Sequence, residues 1–225
     1  TKASIYVLAR LIFTVFGGFA DMIGAALTMV IIPLSVMCIF VGTIMAIYES
    51  DIKKLLAQSS IAQIGYITLG FGLASKSGVA AGFIHIGNHA LIKGGLFMAV
   101  AGFFTAMRSR VDLNSLTGMG HRMPITATAF VICGLSLIGL PLTAGFISKL
   151  YLVRAMLETD SYLLVGIVLA SSALSVIYLW KIIEVMWMQP AFQDAPKLDE
   201  NPAVYMPLWM LAGLNLWFGI DAGWM

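Results

Sequence analysis

Charged residues are scarce in this chain. Asp, Glu, Lys and Arg make up only 11% of its 225 residues, whereas hydrophobic residues make up 60%. Soluble domains usually carry about a quarter charged residues. A water-soluble core of this size could not use so many apolar side chains, so the composition excludes a soluble domain and predicts an integral membrane protein.

Other absences narrow the class further. The formal net charge is only +2, which argues against a nucleic-acid partner, because such a partner selects a strongly basic surface. The two cysteines, Cys38 and Cys133, lie far apart in apolar runs and form no disulfide or metal framework. No P-loop, Rossmann glycine pattern or metal-ligand cluster is present. We therefore expect no cofactor, no metal and no catalytic residues in this chain.

The chain starts at Thr1, and Lys2 follows inside an apolar run. No initiator Met or signal peptide is visible. We expect a fragment whose N-terminal part is missing.

The apolar runs predict an all-α fold, a polytopic membrane helix bundle that forms a single transmembrane domain over residues 1–225. A helix needs about 20 apolar residues to cross the hydrocarbon layer, and the sequence supplies that length several times. We predict about seven spans, at residues 2–16, 25–48, 59–74, 78–106, 124–157, 162–188 and 204–220.

The run 124–157 is too long for one straight span. As a single helix it would be roughly 50 Å long, against a hydrocarbon layer of about 30 Å. It also contains Gly139, Pro141 and Gly145, and proline removes a backbone donor and clashes with the preceding turn. The sequence predicts one broken helix with an unwound centre near 140–146, which a membrane tolerates where protein or water satisfies the freed groups.

Lysine and arginine favour one set of loops. Six of them follow the second, fourth and sixth spans, and only Lys76 follows the first, third or fifth. By the positive-inside rule, the loops near 50–58, 107–123 and 189–203 should face the cytoplasm, in a multi-pass protein of the cell inner membrane.

Four sites place a charged or titratable residue in or beside an apolar span. A charge at mid-membrane costs at least about 2.5–3.5 kcal/mol, so a residue that carries one there suggests a function. The strongest is His85, His89 and Lys93, whose spacing of four puts them along one helix face. Histidine titrates near neutrality, so such a row can pass protons if water bridges it. The alternative is a set of hydrogen-bonded residues that pins helices together.

The other three sites are single lysines. Lys149 lies beside the predicted break, where transporters place ion sites; the alternative is a lysine that reaches the surface from a short helix. Lys2 is a channel residue or an interfacial anchor. The neighbouring charged residues, in Asp51-Ile52-Lys53-Lys54, favour a cytoplasmic basic anchor as the role of Lys53.

Three motifs, in order, resemble a known family. They are Asp51-Ile52-Lys53-Lys54-Leu55-Leu56-Ala57-Gln58-Ser59-Ser60, continuing to Tyr66; His85-Ile86-Gly87-Asn88-His89-Ala90-Leu91-Ile92-Lys93; and Leu140-Pro141-Leu142-Thr143-Ala144-Gly145-Phe146-Ile147-Ser148-Lys149. They resemble the antiporter-like membrane subunits, which include the proton-pumping subunits of respiratory complex I, Mrp-type cation/proton antiporters and membrane-bound hydrogenases.

The resemblance implies a fold of about fourteen helices with two inverted five-helix repeats, of which this chain would be the C-terminal half. It implies a proton pathway made of Lys2, Lys53, His85, His89, Lys93 and Lys149, with Lys93 and Lys149 lining the exit-side half-channel. It thus gives Lys53 a channel role. The family's essential Glu and its first broken-helix Lys would lie upstream of Thr1.

The expected function is a proton-translocating subunit of a multisubunit complex, with other membrane subunits and the lipid bilayer as partners. Protons are the expected ion, and sodium is a second candidate for an antiporting member. Residues 146–151 and 178–181 resemble the Mrp D-type and hydrogenase-associated branch more than complex I. The alternatives are a pumping subunit of a redox-driven NADH-quinone oxidoreductase or hydrogenase, a non-conducting scaffold, and a transporter of a small solute.

Overall fold

A computed structural model describes residues 2–15, 20–190 and 197–221, with side chains from 3–15, 28–190 and 197–221. These residues confirm the all-α prediction. The α-helices within them are α1 Lys2–Arg10, α2 Ala20–Tyr48, α3 Ile52–Gly72, α4 Lys76–Met107, α5 Met119–Arg122, α6 Pro124–Ile138, α7 Ala144–Glu158, α8 Tyr162–Ile183 and α9 Pro202–Ile220. π-Helical turns, Leu11–Val15 and Glu184–Met188, extend α1 and α8, and Asn114–Leu116 forms a 3₁₀ turn.

Four described segments are long and apolar enough to cross a membrane by length and composition. They are Thr28–Tyr48, Lys76–Met107, Tyr162–Met188 and Pro202–Ile220. Ala3–Val15 and Pro124–Ile138 are apolar but shorter. The count of about seven spans stays a prediction.

Helix α3 begins at Ile52, well before the start at residue 59 that the apolar run suggested. The reason is an N-cap. The Asp51 carboxylate accepts hydrogen bonds from the backbone N–H groups of Lys53, at 2.9 Å, and Lys54, at 3.3 Å. These are donors that a helix end otherwise leaves unsatisfied, so the polar stretch becomes the first turn of the helix.

The predicted helix break is confirmed and lies at residues 139–143. Helix α6 ends at Ile138, where Gly139 takes up a left-handed conformation with φ +90°, and α7 begins at Ala144. Glycine adopts this conformation without steric cost, which is why it commonly follows a helix C-terminus.

Helix α4 is the centre of the bundle. It packs against α3, α6, α7 and α9, while α2 packs against α3 and α8. The largest group of buried apolar residues lies between α3, α4, α6, α8 and α9 and includes Leu55, Leu96, Phe103, Phe130 and Leu179. The side chains that α4 carries are therefore enclosed by neighbouring helices on several sides.

The three loops predicted to share a membrane side do lie at one end of the bundle. Leu113 N–H donates to Ser50 O at 3.0 Å, and Ile52 N–H donates to Val111 O at 3.1 Å, which joins the first two loops. Leu198 N–H donates to Arg122 O at 3.2 Å, which joins the third. Their cytoplasmic location remains a prediction.

We predict that Gly145→Ala destabilises the protein. A Cβ at Gly145 would overlap the backbone carbonyl of Ser136 across the helix break, and backbone cannot move aside as a side chain can. Forcing extra volume into a packed site typically costs about 1–3 kcal/mol. We expect a lower Tm in detergent.

The matched control is Gly166→Ala in α8, because a Cβ there would meet no atom within 4 Å. Its Tm should be no lower than that of the wild type, since alanine is a better helix former than glycine. Equal Tm values for the two variants would contradict the packing of α7 against α6.

Candidate functional site

Lys93 lies in the membrane-spanning part of α4 with 3% of its surface exposed. Its Nζ donates to the backbone carbonyl of Leu56 at 2.7 Å and to Ser59 Oγ at 2.6 Å, both on α3. Leu56 shares its carbonyl among several donors, because the hydroxyls of Ser59 and Ser60 also donate to it, at 3.1 Å and 2.9 Å. The ammonium group is thus held between α4 and α3 by neutral oxygen atoms.

Lys149 lies on the first turns of α7 and is also buried, at 7% exposure. Its Nζ donates to the carbonyls of Ile138, at 2.7 Å, and Leu137, at 3.3 Å, and to Ser172 Oγ on α8 at 3.0 Å. The same Nζ lies 5.0 Å from the ring centroid of Tyr66, a cation–π distance.

The helix break supplies two of these acceptors. The last four carbonyls of a helix have no intrahelical partner. In α6, the carbonyl of Leu135 accepts from Gly139 and Leu140, and that of Ser136 accepts from Gly139. The carbonyls of Leu137 and Ile138 remain, and these are the two that Lys149 binds. The break therefore creates the oxygen site that a buried lysine needs.

His85 and His89 lie on α4 and are buried, at 2% and 4% exposure. Their rings stack with centroids 6.4 Å apart and planes inclined by 9°. His85 Nδ1 lies 2.8 Å from Ser148 Oγ on α7, and Nε2 lies 2.9 Å from Gln63 Oε1 on α3. All three residues of the predicted row are buried on α4: His85 contacts α3 and α7, whereas Lys93 contacts α3.

The neighbours of His85 suit either protonation state. When Ser148 Oγ donates to Gly145 O at 3.1 Å, its oxygen can accept from His85 Nδ1–H. Nε2–H can donate to Gln63 at the same time, so a protonated ring is fully hydrogen-bonded. For the neutral ring, the Ser148 hydroxyl needs only to rotate and donate to Nδ1. This is the arrangement that a proton relay requires.

A cavity of about 610 Å³ lies beside His89 and Lys93. Its walls come from α1, α3 and α4 and include Ile5, Ala57 and Ser60. A water molecule takes about 30 Å³ of liquid, and polar groups on a wall allow water to stay. The space therefore suits water next to two titratable side chains.

Two predicted site residues do not join this group. Lys53 is exposed in the first turn of α3, where its Nζ lies 4.4 Å from the Phe104 ring centroid at the end of the bundle. Lys2 begins α1, but its side chain lies outside the described residues. The channel roles of both stay predictions.

Several partners were missed in the sequence. Gln63, Ser59 and Tyr66 hold or face the buried lysines and histidine, and they recur at spacings of three and four along α3. Ser171, Ser175 and Tyr178 repeat this pattern on α8, all buried. Polar residues at helical spacing inside an apolar span were the available signal.

The chain belongs to the family described as "NADH:quinone oxidoreductase/Mrp antiporter, TM", whose model matches residues 1–175. The NADH-quinone oxidoreductase subunit N of Desulforudis audaxviator is 38% identical over 163 residues, which are 72% of this chain and 32% of that protein.

Solved structures show the same fold. A chain of the Mrp complex from Dietzia sp. DQ12-45-1b superposes with a TM-score of 0.86 at 22% identity, over 99% of this chain and 49% of that one. A chain of the membrane-bound sulfane sulfur reductase, an archaeal respiratory membrane complex, gives 0.84 at 26% identity, over 98% and 44%. The chain thus spans less than half the length of these relatives.

The expected preference for the Mrp D-type branch is not supported. Curated relatives similar to this chain carry the name NADH-quinone oxidoreductase subunit N. The residues 146–151 and 178–181 on which the preference rested belong to α7 and α8.

We predict that the cavity is reachable by small reagents. In a Cys38→Ser background, Ala57→Cys should react with a small cationic methanethiosulfonate roughly tenfold faster than Ala62→Cys, since thiol reactivity follows exposure. Ala57 lines the cavity, whereas Ala62, on the same helix, is 2% exposed. The rates can be measured by mass spectrometry on detergent-solubilised protein, and equal rates would contradict the cavity.

Proposed function

We propose that this chain is part of a proton-translocating membrane subunit of a multisubunit complex. The observation that carries the proposal is the pair of buried lysines, Lys93 and Lys149, each held by neutral oxygen atoms, with His85 and His89 between them. Such groups are costly in a membrane, and their retention in an ordered row is best explained by proton movement.

In the proposed mechanism, protons move along water, the two histidines and the two lysines. The acceptors of both lysines are neutral, so a lysine that gives up its proton leaves no unbalanced carboxylate behind. The Tyr66 ring contacts both His85, with ring centroids 5.8 Å apart, and Lys149, whose Nζ lies 5.0 Å from its centroid, so the two groups are close enough to interact electrostatically. A charge that arrives at one of them therefore alters the proton affinity of the other, because such coupling is strong in a low dielectric.

The partners are other membrane subunits, and the energy comes from a redox reaction or an ion gradient outside this chain. Family membership supports this proposal, because the relatives named above are subunits of complexes. A redox-driven quinone oxidoreductase is the assembly that the relatives' names favour. Exchange of sodium for protons is the second candidate activity.

The site is proposed to lie in the cell inner membrane, with the joined loops at the α3 start, after α4 and before α9 facing the cytoplasm. Their lysines and arginines support this orientation. A non-conducting scaffold would have no use for titratable groups with exchangeable partners along α4.

We predict that Lys93→Ala and Lys149→Ala each lower proton translocation by at least about tenfold, because each removes one carrier from the path. The measurement is the quenching of a pH-sensitive dye in inverted vesicles that contain the intact complex. Rates are normalised to the assembled complex.

The matched control is Lys76→Ala, which removes an exposed lysine from the first turn of α4. It should transport at the wild-type rate. Unchanged coupled transport in Lys93→Ala would overturn the proposed function and would favour a scaffold.

A further inference from the structure

Helix α8 carries a row of buried hydroxyl groups that the pathway described so far does not use. Ser171, Ser175 and Tyr178 are spaced by four and three residues, so they lie on one helix face. Each is 0–1% exposed, although α8 is otherwise an apolar helix. The row faces the interior of the bundle, towards α3 and α7.

One end of the row meets Lys149. Lys149 Nζ donates to Ser172 Oγ at 3.0 Å, next to Ser171 in the chain. The Tyr66 hydroxyl lies 2.7 Å from Ser171 Oγ, and the Tyr66 ring centroid lies 5.0 Å from Lys149 Nζ. Tyr66 is fully buried, so its hydroxyl exchanges hydrogen bonds only within this group.

The other end of the row meets Lys93. The side chains of Ser175 and Ser59 lie next to the Tyr178 hydroxyl. Ser59 Oγ is the hydroxyl that accepts from Lys93 Nζ at 2.6 Å. Tyr178, on the same face of α8 as Ser171 and Ser175, thus lies beside the serine of α3 that binds the lysine of α4.

The two ends are separated by one helical turn. Ser175 Oγ donates to the backbone carbonyl of Ser171 at 2.9 Å, so the two serines lie one above the other. Residues four apart on a helix have Cβ atoms about 5–6 Å apart. Two hydrogen bonds of about 2.8 Å through one water molecule span that distance.

We propose a second proton connection between Lys149 and Lys93, parallel to the one through His85 and His89. It extends the row to six hydroxyl groups, in the order Ser172, Tyr66, Ser171, Ser175, Tyr178 and Ser59. The inference rests on the proposed function of the two lysines. Serine hydroxyls in apolar helices commonly bond to their own backbone, which alone would make the row structural. That explanation does not account for a row in which both terminal serines bind a buried lysine.

Each transfer step conserves protons. A hydroxyl oxygen accepts the incoming proton and releases its own proton to the next oxygen, and no covalent intermediate remains. After one passage every O–H group points the opposite way, so each must rotate before the next proton moves. Hydroxyl groups of Ser and Tyr can both donate and accept, as this step requires.

The test is proton translocation by the intact complex that carries Tyr178→Phe, which removes one hydroxyl and keeps the ring in the core. We expect a loss of about threefold alone and a near-complete loss when it is combined with His85→Gln, because two parallel routes are then both closed. The matched control is Tyr162→Phe, an exposed tyrosine of the same helix, which should leave the rate unchanged in both backgrounds.

A second variant separates proton transfer from packing. Ser175→Ala should lower the rate and Ser175→Thr should restore it, since threonine keeps the hydroxyl. The solvent isotope effect in D₂O should increase in the His85→Gln background, where all protons must cross hydroxyls.

The outcomes distinguish the two proposals. Wild-type transport by Tyr178→Phe in both backgrounds, with transport lost in Lys93→Ala, would overturn the hydroxyl route and leave the proposed function standing. Complete loss in Tyr178→Phe alone would overturn the parallel arrangement, because it would place the hydroxyls in series with the histidines. Normal transport in Lys93→Ala would overturn both proposals.

Discussion

An ammonium group in the interior of a membrane must find fixed hydrogen-bond acceptors, and much of this structure follows from that requirement. Lys149 finds them in the two carbonyls that α6 leaves unpaired at its end. The break exists because Gly139 turns the chain away, and it stays compact because Gly145 allows α7 to approach Ser136. Ser136 in turn donates to Asn215 of α9 at 3.0 Å, so a fourth helix holds the break in place. One buried charge thus explains the position of several residues that carry no charge.

The acceptors share a second property, which is that they are neutral and can change partners. Lys93 and Lys149 both contact serine hydroxyls, and His85 lies between a serine and a glutamine. Fixed carboxylates would hold an ammonium more tightly and would oppose its deprotonation. Weak, exchangeable contacts hold the groups in place without fixing their protonation state. Helix α4 carries three titratable groups, and its neighbours α3 and α7 supply the hydrogen-bond partners of Lys93 and His85.

The titratable residues in apolar spans and the helix-breaking residues could be predicted from the sequence. The uncharged residues that bind them could not. Lys93, Lys149, His85 and His89 were visible because charged or titratable groups are rare in apolar spans, and the break was visible because a glycine and a proline interrupt an overlong run. Ser59, Gln63 and Tyr178 were missed because a Ser, Gln or Tyr in a membrane helix is unremarkable until a tertiary contact gives it a neighbour. The start of α3 was placed too late because hydropathy detects the apolar run, whereas the Asp51 cap determines where the helix begins.

The central claim is that Lys93 and Lys149 change protonation state while the complex works. The most direct measurement is infrared difference spectroscopy of the intact complex with ¹⁵N-labelled lysine, recorded between resting and working states and compared with Lys93→Met and Lys149→Met. Proton transfer through the two lysines predicts ammonium bands that shift on labelling, appear or disappear with turnover, and are missing in the corresponding variant. Lysine bands that stay constant through turnover, in a complex that translocates protons at its normal rate, would contradict it.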